Sequence, residues 1–357
     1  MLTVAKLREA MGRLPRVELA VLPTPVHECP NLSQELGIRL AVKRDDLTGL
    51  AFGGNKTRKF EFVFGDALQK GADVIVAGFG SQSNFARQAA AACARLGLRC
   101  YLVNRYDDRA RKAGIQGNYL LDLILGAHVW LVPPEQLAEA RRRLADELRA
   151  LGHRPYILND TEAVLGAVAY AGCVAELVEQ LAEPPDYLVL ASGAGTQAGV
   201  LLGVKALGLP TRVLGFRPSP VPDATVREQI VAIVSEAASL MGLDLRVGPD
   251  EVENSGDYVG EAYGVVTPAC LEAIELLART EGILLDPVYS GKAFSGLIDY
   301  VRRGIIPAGS RVVFIHTGGQ PAIFAYAQEF IDHGGYRMRV VEDISRGILS
   351  AVPAAGD

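Results

Sequence analysis

Short β-branched runs alternate with longer helical patterns along most of this 357-residue chain, and that alternation restricts the folds open to it. Residues 73–77 read as a buried strand, 83–96 as an alanine-rich helix and 100–103 as the next strand. A helix over 117–125 leads to a strand at 129–132, and a charged helix over 135–151 leads to a strand at 155–158. A second series starts near Val164, with strands at 187–190, 212–216 and 311–315 and a Pro-rich loop over 217–222. A strand that reaches its neighbour through a helix runs parallel to it, so the pattern predicts mostly parallel sheets covered by helices. The length exceeds what one small core serves, so two α/β lobes with a ligand cleft between them are expected.

Charge and cysteine usage exclude several function classes. The net charge of -5 gives no electrostatic case for nucleic acid or an anionic membrane surface. Cys29, Cys93, Cys100, Cys173 and Cys270 are scattered without a C-x-x-C pair, which predicts reduced thiols and a cytoplasmic setting. No cysteine or histidine pair has zinc-ligand spacing, so no metal is expected. The first twenty residues carry charges throughout and lack the apolar core of a signal peptide, and no apolar run approaches a membrane span.

Two glycine-rich loops sit where a strand hands over to a helix. The first is Gly78-Phe79-Gly80-Ser81-Gln82-Ser83-Asn84, and the second is Ser192-Gly193-Ala194-Gly195-Thr196-Gln197-Ala198-Gly199. Both offer a tight turn and a helix N-terminus, where free amides and the positive dipole end attract phosphate. The second also reads G-x-G-x-x-A, so a dinucleotide site has to be weighed. Such a site needs an acid at the end of the following strand to hold the ribose. Here those strands end in Gly215-Phe216-Arg217 and Val103-Asn104-Arg105; an arginine would suit only a phosphorylated dinucleotide. Ser192 and Thr196 instead set hydroxyls beside the glycines, as a monophosphate requires. Lys56 follows the Gly53-Gly54 turn at a helix start, where an amine can meet an anionic cofactor. A phosphorylated aldehyde, held by a loop at one end and a lysine imine at the other, satisfies both features. Pyridoxal 5'-phosphate is such a group.

Seven segments match one family in order over nearly the whole chain. They are Leu22-Pro23-Thr24-Pro25, Val42-Lys43-Arg44-Asp45-Asp46-Leu47-Thr48-Gly49, the run 53–59, Gln82-Ser83-Asn84, Thr196-Gln197-Ala198-Gly199, Asp286-Pro287-Val288-Tyr289 and His316-Thr317-Gly318-Gly319. On these residues the chain resembles the pyridoxal-phosphate enzymes of the tryptophan-synthase-β-like fold, fold type II. Within them it resembles the D-cysteine desulfhydrase and 1-aminocyclopropane-1-carboxylate deaminase branch. The resemblance implies a two-domain α/β fold, each domain an open twisted, mostly parallel sheet flanked by helices. A small domain over 52–163 would carry the lysine, and a large domain from 1–51 and 164–357 the phosphate loop, with the cofactor in the cleft between them. Lys56 is then expected to hold the cofactor covalently and act as base. Lys59 would lie near its phosphate, Asn84 would bond the 3'-oxygen of the ring, and Ser83 would serve proton transfer or the substrate carboxylate. Ala194, Gly195, Thr196, Gln197, Ala198 and Gly199 match the phosphate cradle, and Tyr289 a tyrosine against the ring. Ser290 or Thr317 is expected to face the ring nitrogen. A small amino-acid substrate and a homodimer are also implied.

Two departures bear on the reaction. The deaminases of this branch carry a glutamate after that tyrosine, facing the ring nitrogen, where this chain has Ser290. A neutral partner makes the ring a weaker electron sink, which suits loss of a thiol or sulfite better than opening of a cyclopropane. Phe85 stands where desulfhydrase-like sequences usually have a polar residue, often histidine, and bears on the substrate. The expected reaction is therefore α,β-elimination from a cysteine-like amino acid, D-cysteine desulfhydrase-like, giving pyruvate, ammonia and sulfide. The alternatives are L-cysteate sulfo-lyase or 1-aminocyclopropane-1-carboxylate deaminase activity, and a catalytically silent cofactor-binding or regulatory protein. Plainer roles are expected for Ser83 as a helix N-cap, His316 as a satisfied core histidine, and Asp45 and Asp46 as turn residues paired with arginines.

Overall fold

The structure is a computed structural model, and it describes residues 1–80, 82–106, 114–158, 161–334 and 336; Ser81 of the first glycine loop lies outside them. The chain opens with α1 (Val4–Met11), β1 (Val26–Glu28), α2 (Pro30–Leu36), β2 (Arg39–Lys43) and α3 (Asn55–Gln69). An alternating series follows: β3 (Val74–Ala77), α4 (Asn84–Leu96), β4 (Arg99–Arg105), α5 (Gly117–Ile124), β5 (His128–Val132), α6 (Leu137–Ala150) and β6 (Pro155–Ile157). The second series runs α7 (Thr161–Gln180), β7 (Tyr187–Ala191), α8 (Gly195–Leu207), β8 (Arg212–Phe216), α9 (Asp223–Leu240) and β9 (Glu253–Ser255). It closes with α10 (Pro268–Glu281), α11 (Ser290–Arg302), β10 (Arg311–Ile315) and α12 (Ala327–His333).

The described strands form two sheets. One has the order β5-β4-β3-β6 and is parallel throughout. The other has the order β1-β2-β10-β7-β8-β9 and is parallel except for the antiparallel edge pair β1-β2. The first sheet takes every strand from within the expected 52–163 segment, and the second takes every strand from outside it. β1, β2 and β9 were not read from periodicity. The first and last have three residues each, too few for a pattern, and β2 (Arg39-Leu40-Ala41-Val42-Lys43) hides a buried ammonium at its end.

Helix α7 is the shared core of the molecule. From Val164 to Leu177 its side chains are almost all buried, among them Val168, Tyr170 and Cys173. It meets α8 backbone to backbone, because a Cβ on Gly199 would lie 2.4 Å from the Ala167 carbonyl oxygen and one on Gly203 would lie 2.8 Å from Val174 Cβ. The spacing of four residues puts both glycines on one face of α8.

Across from α8, α7 meets α3 through ions. Arg58 of α3 donates to Asp45 (Nη2 to Oδ1, 2.8 Å) and to Glu176 of α7 (Nη1 to Oε1, 2.6 Å). Lys43 at the end of β2 donates to Glu176 Oε2 at 2.7 Å and to the Thr24 carbonyl at 2.7 Å. Tyr170 Oη and Thr24 Oγ1 donate to Asp45 at 2.6 and 2.7 Å. All of these groups are buried. The expected arginine pairing of Asp45 and Asp46 is met by Arg58 and Arg44. Burial pushes the Asp45 carboxyl up, but Arg58 and its hydrogen bonds outweigh that and hold it below its ordinary value.

Removing Arg58 leaves the buried Asp45 carboxylate without its cation and Glu176 with Lys43 alone, so Arg58→Met is expected to cost about 3–5 kcal/mol of stability, read from urea unfolding. Asp45 also adds an acid dependence. The unfolded chain takes up its proton before the folded chain does, so the Asp45 contribution is complete above the ordinary carboxylate range and is lost as pH falls through the lower folded value.

Candidate active site

Parallel strands deliver their following loops to one edge of each sheet, the usual place for a ligand. β3 leads into the first glycine loop, β7 into the second, and β10 into His316, Thr317 and Gly318. These edges surround a cavity of about 220 Å³. Lys56 and Lys59 enter it from α3, Asn84 and Phe85 from α4, and Ala194, Gly195 and Thr196 from the start of α8; Tyr289 and Thr317 complete the wall.

The turn before Lys56 is held in the left-handed region over four residues, Ala51, Phe52, Gly53 and Gly54. Gly54 has no alternative, since its φ is +124° and a Cβ there would lie 2.7 Å from Gln88 Nε2. The Asn55 amide then donates to the Thr317 carbonyl at 3.0 Å, which seats the start of α3 against the end of β10. Lys56 Nζ donates to Asn55 Oδ1 at 3.0 Å. Burial pulls the Lys56 ammonium down to about 8; the Glu162 and Asp286 charges oppose the shift and Arg87 adds to it. Lys59 is driven well below its ordinary value by burial and then by the Lys56 charge, with Glu162 opposing. Its stem lies in the space left by Gly166, where a Cβ would be 2.7 Å from Lys59 Cδ.

At the start of α8 the amides of Ala194, Gly195 and Thr196 make no hydrogen bond to any described residue. Asn55 Nδ2 donates to Thr196 Oγ1 at 3.2 Å, leaving the hydroxyl hydrogen to point elsewhere. Ser192 Oγ accepts from the Gln197 amide at 3.0 Å. Gln197 is thereby withdrawn: it does not line the cavity, and its side chain donates to the Glu253 carbonyl at 2.6 Å. Ala198 and Gly199 do not line the cavity, and Gly199 lies against α7. An amine faces the cavity together with three unsatisfied amides, a donor set that fits pyridoxal phosphate. Lys56 and the amides 194–196 would hold it.

The other expected residues separate into two groups. Asn84 is on the wall, with its Oδ1 accepting from Asn118 Nδ2 at 2.8 Å. Tyr289 is on the wall, its hydroxyl 2.5 Å from that of Tyr263. Ser83 caps α4, accepting from the Ala86 amide at 3.2 Å, and does not line the cavity. Ser290 does not line it either. Its hydroxyl donates to Asp286 Oδ1 at 2.6 Å and accepts from the Asp286 amide at 2.8 Å, so both its roles are filled. Of the two hydroxyls expected near the ring nitrogen, Thr317 is the one on the wall. His316 is a core histidine: Nδ1 accepts from the Gly318 amide, and Nε2 faces the Leu284 carbonyl at 2.9 Å.

Several residues escaped the sequence reading. Glu162 lines the cavity, and its only sequence signal is an acid just ahead of a long apolar stretch of helix. Asn55 was visible only as the neighbour of Lys56, and Tyr263 and Asn118 carry no local signal at all.

The chain matches the family described as pyridoxal-phosphate dependent enzyme over residues 17–318. It is 42% identical over 338 residues to a 1-aminocyclopropane-1-carboxylate deaminase of Burkholderia vietnamiensis (strain G4 / LMG 22486), covering 90% of this chain and 99% of that one. A solved structure described as an ACC deaminase homologue superposes with a TM-score of 0.84 at 36% identity, covering 92% of this chain and 99% of the other. Threonine deaminase isoform 2 from Solanum lycopersicum shares the fold, with a TM-score of 0.66 at 16% identity over 93% of this chain and 88% of the other.

Because Lys56 titrates near pH 8, its amine in the cofactor-free chain is expected to capture pyridoxal phosphate with a rate that rises through a midpoint near that pH, not near the ordinary lysine value of 10.5. Stopped-flow absorbance against pH measures this, and Lys56→Arg should abolish the phase. The match over residues 17–318 means that the chain belongs to the family of pyridoxal-phosphate-dependent enzymes.

Proposed function

We propose that the chain deaminates 1-aminocyclopropane-1-carboxylate, taking up one water and releasing 2-oxobutyrate and ammonia. The observation that carries this reading is the apolar wall of the cavity. Phe85 meets Phe60 and Phe79 edge to face at 4.9 and 4.8 Å, and Phe60 and Phe85 line the cavity. A hydrocarbon ring suits such a wall, whereas a polar substituent there would lose its water partners. The activity carried in the name of the Burkholderia relative supports the same reading. It reverses the order expected from Ser290, which had put elimination from a cysteine-like substrate first.

Bound in the cavity, the cofactor would supply an electron-accepting ring conjugated to the substrate nitrogen. The amides of 194–196 and Lys59 would hold its phosphate, and Asn84 and Thr317 would offer groups to the ring. With a pKa near 8, the Lys56 amine can both take and return a proton near neutral pH. This substrate has no α-hydrogen, so Lys56 Nζ would act at a ring methylene. Tyr289, paired with Tyr263, is a second proton carrier on the wall, a hydroxyl in addition to the Lys56 amine. Phe60 and Phe85 keep water from the reacting carbon.

One observation favours a second reading, α,β-elimination from D-cysteine or L-cysteate. No carboxylate follows Tyr289, and Thr317, on the wall, would be a neutral partner for the ring nitrogen. In that reaction Lys56 takes the α-proton and the sulfur group leaves with the bond electrons. The five cysteines are all free and buried, which supports a reducing compartment such as the cytoplasm, and a homodimer is the assembly that the family resemblance implies.

The holoenzyme supplied with 1-aminocyclopropane-1-carboxylate, D- and L-cysteine and L-cysteate is expected to release 2-oxobutyrate from the first, and Lys56→Ala should release none. Pyruvate from a sulfur substrate without 2-oxobutyrate would overturn the leading reading in favour of the second. No 2-oxo acid from any of them, with cofactor bound, points to a silent cofactor-binding protein.

A further inference from the structure

Asn118, near the start of α5, is fully buried and stands behind Asn84 without lining the cavity. Every part of its amide is used. Nδ2 donates to Asn84 Oδ1 at 2.8 Å and to the Gln82 carbonyl at 3.0 Å. Oδ1 accepts from Arg87 Nε at 2.7 Å, and the backbone N–H donates to Gln82 Oε1 at 3.0 Å. These bonds dictate an orientation. A guanidinium only donates, so Asn118 has to turn its oxygen to Arg87 and its nitrogen to Asn84. Asn84 must then turn its oxygen to Asn118, which leaves Nδ2 as the end free to face a ligand. A side-chain amide without such neighbours could settle either way round. Arg87 itself is buried and donates to the carbonyls of Ala51 and Gly53, in the turn just before Lys56. One run of hydrogen bonds therefore joins the turn that carries Lys56 to the amide of Asn84.

We propose that Asn118 is a positioning residue that selects the donor end of Asn84 for the cofactor, with Arg87 orienting Asn118 and tying it to the turn that carries Lys56. The proposal rests on the reading of Asn84 as the partner of the 3'-oxygen of the ring. An ionised oxygen is bound by an N–H and repelled by a carbonyl oxygen, so the wrong end of Asn84 would weaken binding.

Asn118→Asp tests this with almost no change of volume. Aspartate still accepts from Arg87 but cannot donate to Asn84, so it draws Asn84 Nδ2 toward itself and turns the amide oxygen to the cavity. Dissociation constants are measured on the full chain stripped of cofactor, for pyridoxal phosphate and for 3-deoxypyridoxal 5'-phosphate, which lacks the oxygen. The variant is expected to bind the first about tenfold or more weakly than the unsubstituted chain, and the second within about twofold. The visible band of bound pyridoxal phosphate should also move, which a merely structural role would not cause. Asn118→Ser, which removes the amide without adding a charge, should show the same selective loss. An equal loss for both compounds, or no loss for either, overturns the proposal. Asn84→Ala run in parallel tells the two failures apart. If Asn84→Ala loses pyridoxal phosphate selectively and Asn118→Asp does not, the positioning role is wrong. If neither discriminates, the reading of Asn84 is wrong and the proposal falls with it.

Discussion

The buried guanidinium of Arg58 decides how helix α3 sits, and the site follows from that. Its two carboxylate partners come from the loop after β2 and from α7, so three segments remote in sequence converge on one group. Two cations, Lys43 and Arg58, meet two anions, Asp45 and Glu176, and the remaining lone pairs are met by Thr24 and Tyr170. Buried ions are tolerable only when the set is complete. Completeness here sets the rotation of α3. Lys56 and Lys59 are three residues apart and share a face, whereas Arg58 is two residues from Lys56 and points to a different side. With Arg58 fixed toward α7, both lysines are aimed into the cavity.

Within the cavity the same low-dielectric surroundings act twice. They strip Lys56 of part of its proton affinity, which makes a free amine available near neutral pH. They also strengthen the attraction of an anion to the unpaired amides at the start of α8. The chemistry of the amine and the holding of a phosphate at these amides would thus come from one physical condition. The second is anchored by the glycine contact between α8 and α7, and the first by the ions between α3 and α7, so α7 supports both ends of the site.

Much of this was legible in the chain. The buried strands and alanine-rich helices follow simple periodicity, and the glycine loops and Lys56 carry recognisable turn chemistry. What escaped was of a different kind. β2 was hidden because Lys43 looks like a surface charge until Glu176, 133 residues away, is brought beside it. Asn118 and Tyr263 act on groups 34 and 26 residues distant, and nothing in their own neighbourhood marks them. Ser290 shows the converse. Its position suggested contact with the ring, but the local geometry at the head of α11 turns its hydroxyl to Asp286, a partner four residues back. Short-range patterns report backbone shape, while the partners of buried polar groups depend on how the whole chain closes.

The pair of lysines that face the cavity has a consequence beyond chemistry. Without an anion, Lys59 sits in a desolvated space with the Lys56 charge beside it; Glu162 offsets both charges and Asp286 that of Lys56. A phosphate bound there would relieve that repulsion and fill the amides of 194–196 in the same event. Since only the folded chain presents these groups together, binding adds directly to the folding free energy by mass action. The cofactor would in this sense be a structural component of the native state, and the folded fraction of the protein would rise with its concentration.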